Sequence, residues 1–370
     1  AAFTYPGTSG SSGTIIAAYA GDGTNGYAGD GGAATSAELS AARGLALFTD
    51  GTLYVADTGN NVIRVISPSG TIKTYAGNGT AGLAGDGGKA TSAELNQPAG
   101  LALDTASNLY IADAGNDAIR LVTFSSGTIS TVAGTLGASG NSGDGGSATS
   151  ALLAAPEAVA VDSQAVVYVA DTGNNRIRSV ASGTISAFAG TGSAGFGGDN
   201  GTATSALLSS PAGIAVNTSG VVFIADTGNA RVRQVVAGKI TTVAGGGTAS
   251  VGSGTGGTGG LGGGTGTGST GTSSVGDGGP ATSATLQAPT GIALDGQGSL
   301  YVADSVANRV RVVSLSTLVI ETLAGTGTAG NSGNGGPATS AQINAPRAVA
   351  SNGTVTYIAD SGNFEVRQVP

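Results

Sequence analysis

The sequence predicts an all-β fold, a six-bladed β-propeller whose last blade is completed by a strand from the N-terminal region. A short motif recurs six times along the 370 residues, and each repeat contains four strand-like segments, two of them within the motif. The first strand-like segment of the chain is similar to the last strand of a repeat. With 69 Gly and only 4% aromatic residues, the core must consist mainly of Val, Ile, Leu and Ala.

The recurring motif reads LYVADTGNNVIRV in its first copy, at 53–65. Every copy has an Asp, an aromatic residue three positions earlier and an Arg seven positions later. These residues are Asp57, Asp113, Asp171, Asp226, Asp304 and Asp360; Tyr54, Tyr110, Tyr168, Phe223, Tyr301 and Tyr357; and Arg64, Arg120, Arg178, Arg233, Arg311 and Arg367. Successive Asp residues are 55 to 58 positions apart, except for one interval of 78. Fixed offsets in six copies indicate one repeated structural unit.

Each repeat contains four predicted strands. In the second repeat they are GLALD at 100–104, NLYIA at 108–112, AIRLV at 118–122 and TISTVAG at 128–134. Alternating β-branched residues between Gly, Asn, Asp and Ser turns are typical of short strands. Four strands at this period predict one propeller blade.

The ring is expected to close through residues near the start of the chain. TIIAAYAG at 14–21 is similar to the fourth strands TIKTYAG at 71–77 and TISAFAG at 184–190. The last repeat reaches Pro370 directly after its third strand. We therefore expect five complete blades and a sixth that takes its fourth strand from the N-terminal region, which covers an otherwise open sheet edge.

The repeats resemble those of the NHL-repeat family. The resemblance covers about 14–370 and is carried by segments such as PAGLALDTASNLYIADAGNDAIRLV at 98–122 and PAGIAVNTSGVVFIADTGNARVRQV at 211–235. The stretch GDGGKATSAELNQPAG at 85–100 is similar to the version found in large secreted bacterial proteins and in teneurins. The resemblance implies a six-bladed β-propeller, the same number of blades that the repeats themselves predict.

We interpret the Asp, Arg and aromatic residues of the motif as scaffolding, with a binding site repeated six times as the alternative. A five-residue turn at 57–61 would place Ala56 opposite Val62 and Tyr54 opposite Arg64. The guanidinium would then stack on the tyrosine ring. The Asp at the turn would accept backbone N–H bonds.

A GDGG-type loop precedes each motif. It carries weak candidates for calcium ligands, which are Asp30, Asp86, Asp144, Asp199 and Asp277, with Asn334 in the last copy. Carboxylates beside Gly suit Ca²⁺, but each loop offers one Asp, and a nearby Glu is present only at Glu38 and Glu94. The other interpretation is an Asp/Gly turn followed by a Thr or Ser that caps a short helical turn, as in TSAEL. We expect no other cofactor.

Composition excludes several kinds of catalysis. The chain has no His and no Cys, so it has no histidine or thiolate metal ligands and no Ser-His-Asp triad. The resemblance extends to a zinc lyase with histidine ligands at the propeller centre and to lactonases with calcium held by unequal Asp, Asn and Glu residues. The non-repeating acids here show no such cluster; they include Asp50, Asp117, Glu157, Glu321 and Glu365. We predict that the protein is not an enzyme.

Charge and hydropathy exclude other partners. The net charge is −8 with a pI near 4.4, and only Lys73, Lys89 and Lys239 are lysines, so the basic face of RNA-binding family members is not expected. No window of 18 apolar residues predicts a membrane span. The start Ala1-Ala2-Phe3 suits the mature end left by a signal peptidase, so we expect a secreted, extracellular protein.

Two segments lie outside the repeats. Residues 1–13 form an N-terminal arm in which Phe3 and Tyr5 alternate like a short strand. Together with Ile15, Ile16 and Tyr19, they are candidates for assembly by strand addition to another copy; a disordered arm is the alternative. A Gly-rich insertion at 245–276 between blades four and five explains the long interval. It predicts either a flexible loop or an extended strand that packs on a neighbouring molecule.

We therefore predict a secreted, non-enzymatic structural or interaction protein that assembles with itself into a filament or a surface-layer-like array. Head-to-tail exchange of the closing strand would generate a fibre because such a contact does not close on itself. One alternative is a monomeric recognition propeller for a glycan, peptide or surface protein. Another is a Ca²⁺-dependent propeller hydrolase.

Overall fold

The computed structural model describes residues 14–247 and 275–370. They form six four-stranded antiparallel sheets, each made of consecutive strands except the last. The structure confirms the predicted all-β, six-bladed propeller. The N-terminal arm and most of the Gly-rich insertion lie outside the described residues.

The strand bounds repeat from blade to blade. Blade one has β2 (Gly44–Leu47), β3 (Leu53–Asp57), β4 (Val62–Ile66) and β5 (Ile72–Ala76); blade two has β6 (Pro98–Leu103), β7 (Leu109–Asp113), β8 (Ala118–Thr123) and β9 (Thr128–Ala133). Blade three has β10 (Ala158–Val161), β11 (Val167–Asp171), β12 (Arg176–Ala181) and β13 (Thr184–Ala189); blade four has β14 (Pro211–Val216), β15 (Val222–Asp226), β16 (Arg231–Val236) and β17 (Lys239–Ala244). Blade five has β18 (Pro289–Leu294), β19 (Ser299–Asp304), β20 (Arg309–Ser314) and β21 (Ile320–Ala324); blade six has β22 (Ala348–Ser351), β23 (Thr356–Asp360), β24 (Glu365–Val369) and β1 (Ala17–Ala20).

Blade six closes as the sequence predicts. Strand β1 pairs antiparallel with β24, and Ala17 lies opposite Gln368 while Ala18 lies opposite Arg367. The order of the sheet is β1-β24-β23-β22, so the N-terminal strand is the outermost strand of the last blade. The ring is thus completed by residues from both ends of the described chain.

The linker before each blade covers the outer edge of that blade. Gly31 N donates to Ile72 O over 2.7 Å in blade one, and Gly87 N donates to Ile129 O over 2.8 Å in blade two. Blade six has the same bond, from Gly335 N to Ile16 O over 2.8 Å. Backbone groups that would otherwise form an open edge are therefore partly paired.

Short 3₁₀ turns occur in every linker. They span Ala34–Ser36, Ala90–Ser92, Ala148–Ser150, Ala203–Ser205, Ala281–Ser283 and Ala338–Ser340. The short helical turn expected from TSAEL exists, but its predicted cap is wrong, because no side-chain hydrogen bond caps any of these six turns. A second set of 3₁₀ turns connects the second and third strands of five blades, at Thr58–Asn60, Ala114–Asn116, Thr172–Asn174, Thr227–Asn229 and Ser361–Asn363.

The core lies between neighbouring blades. Leu45 and Val55 of blade one pack with Ala348 and Tyr357 of blade six. The alternate residues of the same strands face the other neighbour, because side chains on successive strand positions point to opposite sides of a sheet. Each blade is thereby buried on both faces.

Hydroxyl groups join adjacent blades near the start of the inner strands. Thr58 Oγ1 donates to Pro98 O and Thr172 Oγ1 donates to Pro211 O, each over 2.7 Å. Ser361 Oγ donates to Ala42 O across the junction of blades six and one. The junction that closes the ring thus has the same kind of bond as the junctions between blades one and two and between blades three and four.

Candidate assembly site

The six motif arginines are fully buried, and each is the centre of a similar network in its blade, here called the arginine network. In blade one, Arg64 Nη1 lies 3.3 Å from Asp57 Oδ2 and Nη2 lies 2.6 Å from Asp30 Oδ1. The same guanidinium donates to the carbonyls of Glu38 and Ala28. One side chain of the third strand therefore holds the second strand and the preceding linker together.

The motif aspartate completes this network. Asp57 Oδ1 accepts from Ser40 N over 2.7 Å, and Oδ2 accepts from Asn60 Nδ2 over 2.9 Å. Asn60 Nδ2 also donates to Gly26 O over 2.7 Å. The expected N–H donor thus comes from the linker rather than from the turn that contains the Asp.

The predicted register of the second and third strands is wrong by one position. Arg64 lies opposite Val55, and Tyr54 lies opposite Val65. Since successive side chains alternate between the faces of a sheet, Tyr54 and Arg64 point to opposite faces. The turn is tighter than assumed, because Asp57 itself pairs with Val62.

The motif aromatics therefore have other partners. Tyr54 packs edge-on against Tyr75 with ring centroids 4.9 Å apart, and Tyr357 packs against Tyr19 at 4.6 Å. Tyr168 Oη donates to Asp162 Oδ2 over 3.2 Å. In these blades the aromatic residue joins the second strand to the fourth strand or to the first turn. Within 14–247 and 275–370 no motif aromatic stacks on a motif Arg, so that expectation is wrong.

The GDGG aspartates accept from the arginine network in the first five blades. The distances from the guanidinium Nη2 are 2.6 Å at Asp30, 2.5 Å at Asp86, 2.7 Å at Asp144, 2.6 Å at Asp199 and 2.6 Å at Asp277. In blade six the corresponding acceptor is Asn334 Oδ1, 2.8 Å from Arg367 Nη2. Residues 14–247 and 275–370 contain no group of three or more His, Cys, Asp or Glu side chains that could hold a metal ion.

Burial dominates the titration of the motif aspartates. It raises the pKa of Asp57, Asp113, Asp171 and Asp360 to about 6 each, against hydrogen bonds and arginine charges that lower it. The pKa values of Asp226 and Asp304 are raised for the same reason. These carboxyl groups are structural acceptors held away from water.

Blade five has a less complete arginine network. Ala307 stands where the other blades have an Asn that donates to the motif Asp. Asp304 instead accepts from Gln287 N and Ala288 N. Arg311 Nε and Nη1 are buried without a hydrogen-bond partner among the described residues. The sequence signals for this difference are Ala307 in place of the Asn and Val306 in place of the Gly before it.

The closing seam, here residues 14–20 against 335–338 and 365–369, reproduces the contacts of a fourth strand. Ile16 N donates to Gly336 O over 3.0 Å, and Ala338 N donates to Thr14 O over 2.8 Å. Ile16 is fully buried, and Tyr19 packs on Tyr357. The seam therefore has both the hydrogen bonds and the apolar contacts of a covalently continuous strand.

Of the predicted assembly residues, three lie in this seam, and one of the three is on the surface. Ile16 and Tyr19 face the core of blade six, whereas 48% of Ile15 is exposed. Phe3 and Tyr5 lie outside the described residues. No helix in the part of the chain that the structure describes is long and apolar enough to cross a membrane.

The inner strands leave a central channel with an open cavity of about 490 Å³ at one mouth. Its rim is formed by the first turns of blades one to four and includes Phe48, Asp104, Asp162 and Asn217. Asp104 and Asp162 each accept N–H bonds from their own turns. The mouth could admit a small polar ligand, but these carboxylates already serve as turn acceptors.

Sequence comparison finds the NHL repeat profile at residues 208–235 and 286–313. NHL repeat-containing protein 2 of Bos taurus is 27% identical over 341 residues, 85% of this chain and 44% of that protein. Teneurin-4 of Mus musculus is 31% identical over 232 residues, 56% of this chain and 8% of that protein. The chain thus spans less than half the length of these curated relatives.

Solved structures share the fold at low sequence identity. A structural genomics protein of unknown function from Bacteroides thetaiotaomicron has a TM-score of 0.65 at 14% identity, covering 96% of this chain and 75% of that one. An auxiliary nutrient binding protein from Bacteroides ovatus has a TM-score of 0.63 at 16% identity, covering 97% and 77%. A streptogramin B lyase has a TM-score of 0.54 at 12% identity, covering 97% and 98%. At these identities the likeness shows the propeller fold alone.

Proposed function

Since the chain is an NHL-repeat β-propeller, we propose that it is a non-enzymatic, extracellular structural protein that assembles with itself through its N-terminal strand. The closing seam carries this proposal. Residues 14–20 have the backbone pairing and the apolar contacts of a fourth strand, yet β1 is separated in sequence from its neighbour β24 by nearly the whole chain.

The other five blades differ in this respect. In blade one, for example, β4 ends at Ile66 and β5 begins at Ile72, so a short turn fixes which fourth strand is used. In blade six no such turn selects the strand. Residues 14–20 of a second copy could therefore occupy the same place with the same contacts, which is the condition for strand exchange.

Exchange requires a hinge between β1 and the first linker contact of blade one. Gly26 and Ala28 are already held to blade one by Asn60 and Arg64, so the hinge lies in residues 21–25. Gly21 and Gly23 in this segment have positive φ values of 88° and 86°, which glycine adopts without strain. Each copy donates one strand and accepts one; when the strand passes to the next copy and is not returned by it, the contact is head-to-tail and continues as a fibre.

The extracellular location and the non-enzymatic role are supported by the relatives and by the aspartates. The repeats are similar to those of teneurins, and the fold is similar to that of Bacteroides nutrient binding proteins. A gluconolactonase from Xanthomonas campestris also has this fold, with a TM-score of 0.55. The five GDGG aspartates already accept arginine donors, so a calcium-dependent hydrolase is the weaker proposal.

A monomeric recognition propeller is the second candidate. The cavity at the channel mouth favours it, since Phe48 and turn residues of four different blades line one concave surface. A glycan, peptide or surface protein would be its ligand.

Cysteine cross-linking tests the assembly proposal, because the natural chain has no Cys. Ala17 lies opposite Gln368, so the double variant A17C/Q368C places two thiols across the closing seam. The matched control is S179C/S186C, which occupies the same positions within blade three, where a turn connects the strands.

After oxidation of concentrated protein, we expect A17C/Q368C to give a ladder of cross-linked multimers on a non-reducing gel. S179C/S186C should remain a monomer with an internal disulfide. If A17C/Q368C also forms only an internal disulfide at every concentration, and electron microscopy shows single rings, the strand is not exchanged and the assembly proposal is wrong.

A further inference from the structure

Six equivalent positions surround the channel at the start of the inner strands, at the mouth opposite the cavity described above. They are occupied by Arg43, Ala99, Glu157, Ala212, Thr290 and Arg347. The repeat itself does not require charge here, because three blades have small or uncharged side chains. The three charged residues, here called the charged triad, are therefore a feature of this ring as a whole and not of the blade.

Arg43 and Glu157 interact across blade two. Arg43 Nη1 lies 3.9 Å from Glu157 Oε1, and the two side chains are 18% and 32% exposed. This distance is too long for a hydrogen bond, so the pair is a loose ion pair at the rim. Donor groups of Arg43 remain available for a better acceptor.

Arg347 belongs to the same cluster and is partly buried. Burial lowers its pKa, the nearby positive charge of Arg43 lowers it further, and Glu157 opposes both effects. Its backbone N–H donates to Ala359 O, and its carbonyl accepts from Thr290 Oγ1. Across residues 14–247 and 275–370 its guanidinium makes no hydrogen bond, in contrast to the motif arginines, which bond to carboxylates or amide oxygens.

Two guanidinium groups and one carboxylate give this mouth a net positive charge within a protein of net charge −8. The inner-strand side chains that follow along the channel are aliphatic, including Leu45, Val159 and Val349. No charged side chain among them competes for the arginines.

We propose that Arg43 and Arg347 bind a small oxyanion, a carboxylate or a phosphate, at this mouth of the central channel. Planar guanidinium groups present paired N–H donors that match both anions. Glu157 holds Arg43 when the anion is absent and competes with the anion for it. This site lies apart from the closing seam and does not depend on assembly.

Calorimetric titration of the full chain with inorganic phosphate and, separately, with acetate tests the proposal. We expect millimolar binding of at least one anion, and the preferred one identifies the ligand as phosphate-like or carboxylate-like. Arg347→Gln and Arg43→Gln should each weaken binding about tenfold, the loss of a charge-assisted contact. Glu157→Gln should strengthen binding several-fold, because it removes the competing carboxylate.

Arg176→Gln is the matched control, since Arg176 is a partly exposed arginine that pairs with Asp144 away from the channel. It should bind the anion like the natural chain. Circular dichroism checks that each variant is folded. If Arg347→Gln does not fold, Arg347→Lys replaces it, because lysine keeps the positive charge but lacks the paired N–H donors of the guanidinium. The proposal is overturned if neither anion binds, if Arg176→Gln weakens anion binding as much as Arg347→Gln does, or if Glu157→Gln weakens anion binding.

Discussion

The guanidinium of Arg64 donates to the carboxylate of Asp30 over 2.6 Å, although 34 positions separate the two residues in the sequence. Arg64 reaches Asp57 of the neighbouring strand at the same time. The linker is thus held to its own blade by a buried charge rather than by apolar packing alone. A similar arrangement recurs around the ring, so its contribution to stability can be measured in one blade. The result can be compared with blade six, where Asn334 replaces the aspartate.

Removing a motif arginine should destabilise the protein strongly. Arg120→Met leaves Asp113 buried without its cation and leaves the linker without a donor. Breaking a buried pair from one side costs about 3–5 kcal/mol. Chemical denaturation should show a loss of that order in the free energy of unfolding.

Asp86→Asn is the matched variant for this test. It copies the Asn334 found in blade six, where the amide oxygen accepts from Arg367. We expect a loss of about 1–2 kcal/mol, because the amide oxygen still accepts from Arg120 while the amide nitrogen replaces Oδ2, which accepts from Thr131 N and Oγ1. A loss as large as that of Arg120→Met would contradict the proposed role of the arginine as the central donor.

Stability should rise as the pH falls from 7 to 5. The pKa of Asp57, Asp113, Asp171 and Asp360 is about 6 in the folded protein, above the unfolded value of 3.8. Between these values the folded state binds more protons, so the free energy of unfolding decreases as the pH increases through this window. Thermal melts at constant ionic strength should give a higher Tm at pH 5 than at pH 7.5.

Asp113→Asn provides the internal check on this pH dependence. It replaces one titrating carboxyl group by a neutral acceptor, so the Tm difference between pH 5 and pH 7.5 should become smaller. A Tm that falls steadily on acidification from pH 7 would show that the ionised form is the favoured one in the fold.

In the closing strand, replacing one isoleucine by alanine should lower the free energy of unfolding strongly, whereas replacing its neighbour should have little effect. Ile16 is fully buried, so Ile16→Ala should cost about 2–5 kcal/mol through lost burial and a new cavity. Ile15 is 48% exposed, and Ile15→Ala should change the free energy of unfolding by about 0.5 kcal/mol or less. Equal effects in denaturant titrations would mean that the seam is not formed as described.

The hydroxyl of the motif tyrosine should contribute a single hydrogen bond. Tyr168→Phe removes the bond to Asp162 and should cost about 0.5–1.5 kcal/mol. Blade four carries this change naturally, since Phe223 occurs together with Asn217 in place of the Asp. Tyr168→Phe combined with Asp162→Asn should therefore cost less than the sum of the two single changes in a double-mutant cycle.

One glycine is required by the close approach of two inner strands. A Cβ at Gly213 would overlap the carbonyl of Thr290 in the next blade, so Gly213→Ala should lower the Tm by several degrees or prevent folding. A Cβ at Gly197 would meet only a flexible end of Leu207 at 3.8 Å, so Gly197→Ala should be tolerated. Similar Tm values for the two variants would argue against this packing.

The sequence predicts the fold because its signals are local or periodic. The motif around Asp57, the strand lengths and the likeness of 14–21 to later fourth strands all survive in the structure. The predicted register of the second and third strands is wrong because Asp57 pairs with Val62 instead of remaining in the turn. A shift of one residue in the pairing changes which side chains share a face of the sheet. Loop length inferred from composition does not fix such a pairing.

The site is less predictable, because its contacts join residues far apart in sequence. The link from Arg64 to Asp30 depends on how the linker runs along the edge of the blade, which no short motif encodes. Glu157 stands out in the sequence as a non-repeating acid, but its proximity to Arg43 becomes visible only when the ring is closed. A comparison of equivalent positions around the ring would have supplied that signal.

The antiparallel pairing of β1 and β24 has a mechanical consequence. Ala17 lies opposite Gln368, so the described part of the chain enters and leaves the ring at neighbouring positions. A force that pulls Thr14 and Pro370 apart would load one terminal residue pair at a time and separate the two strands progressively from that end. The ring should therefore yield at this junction under a small load while the covalently continuous blades stay folded.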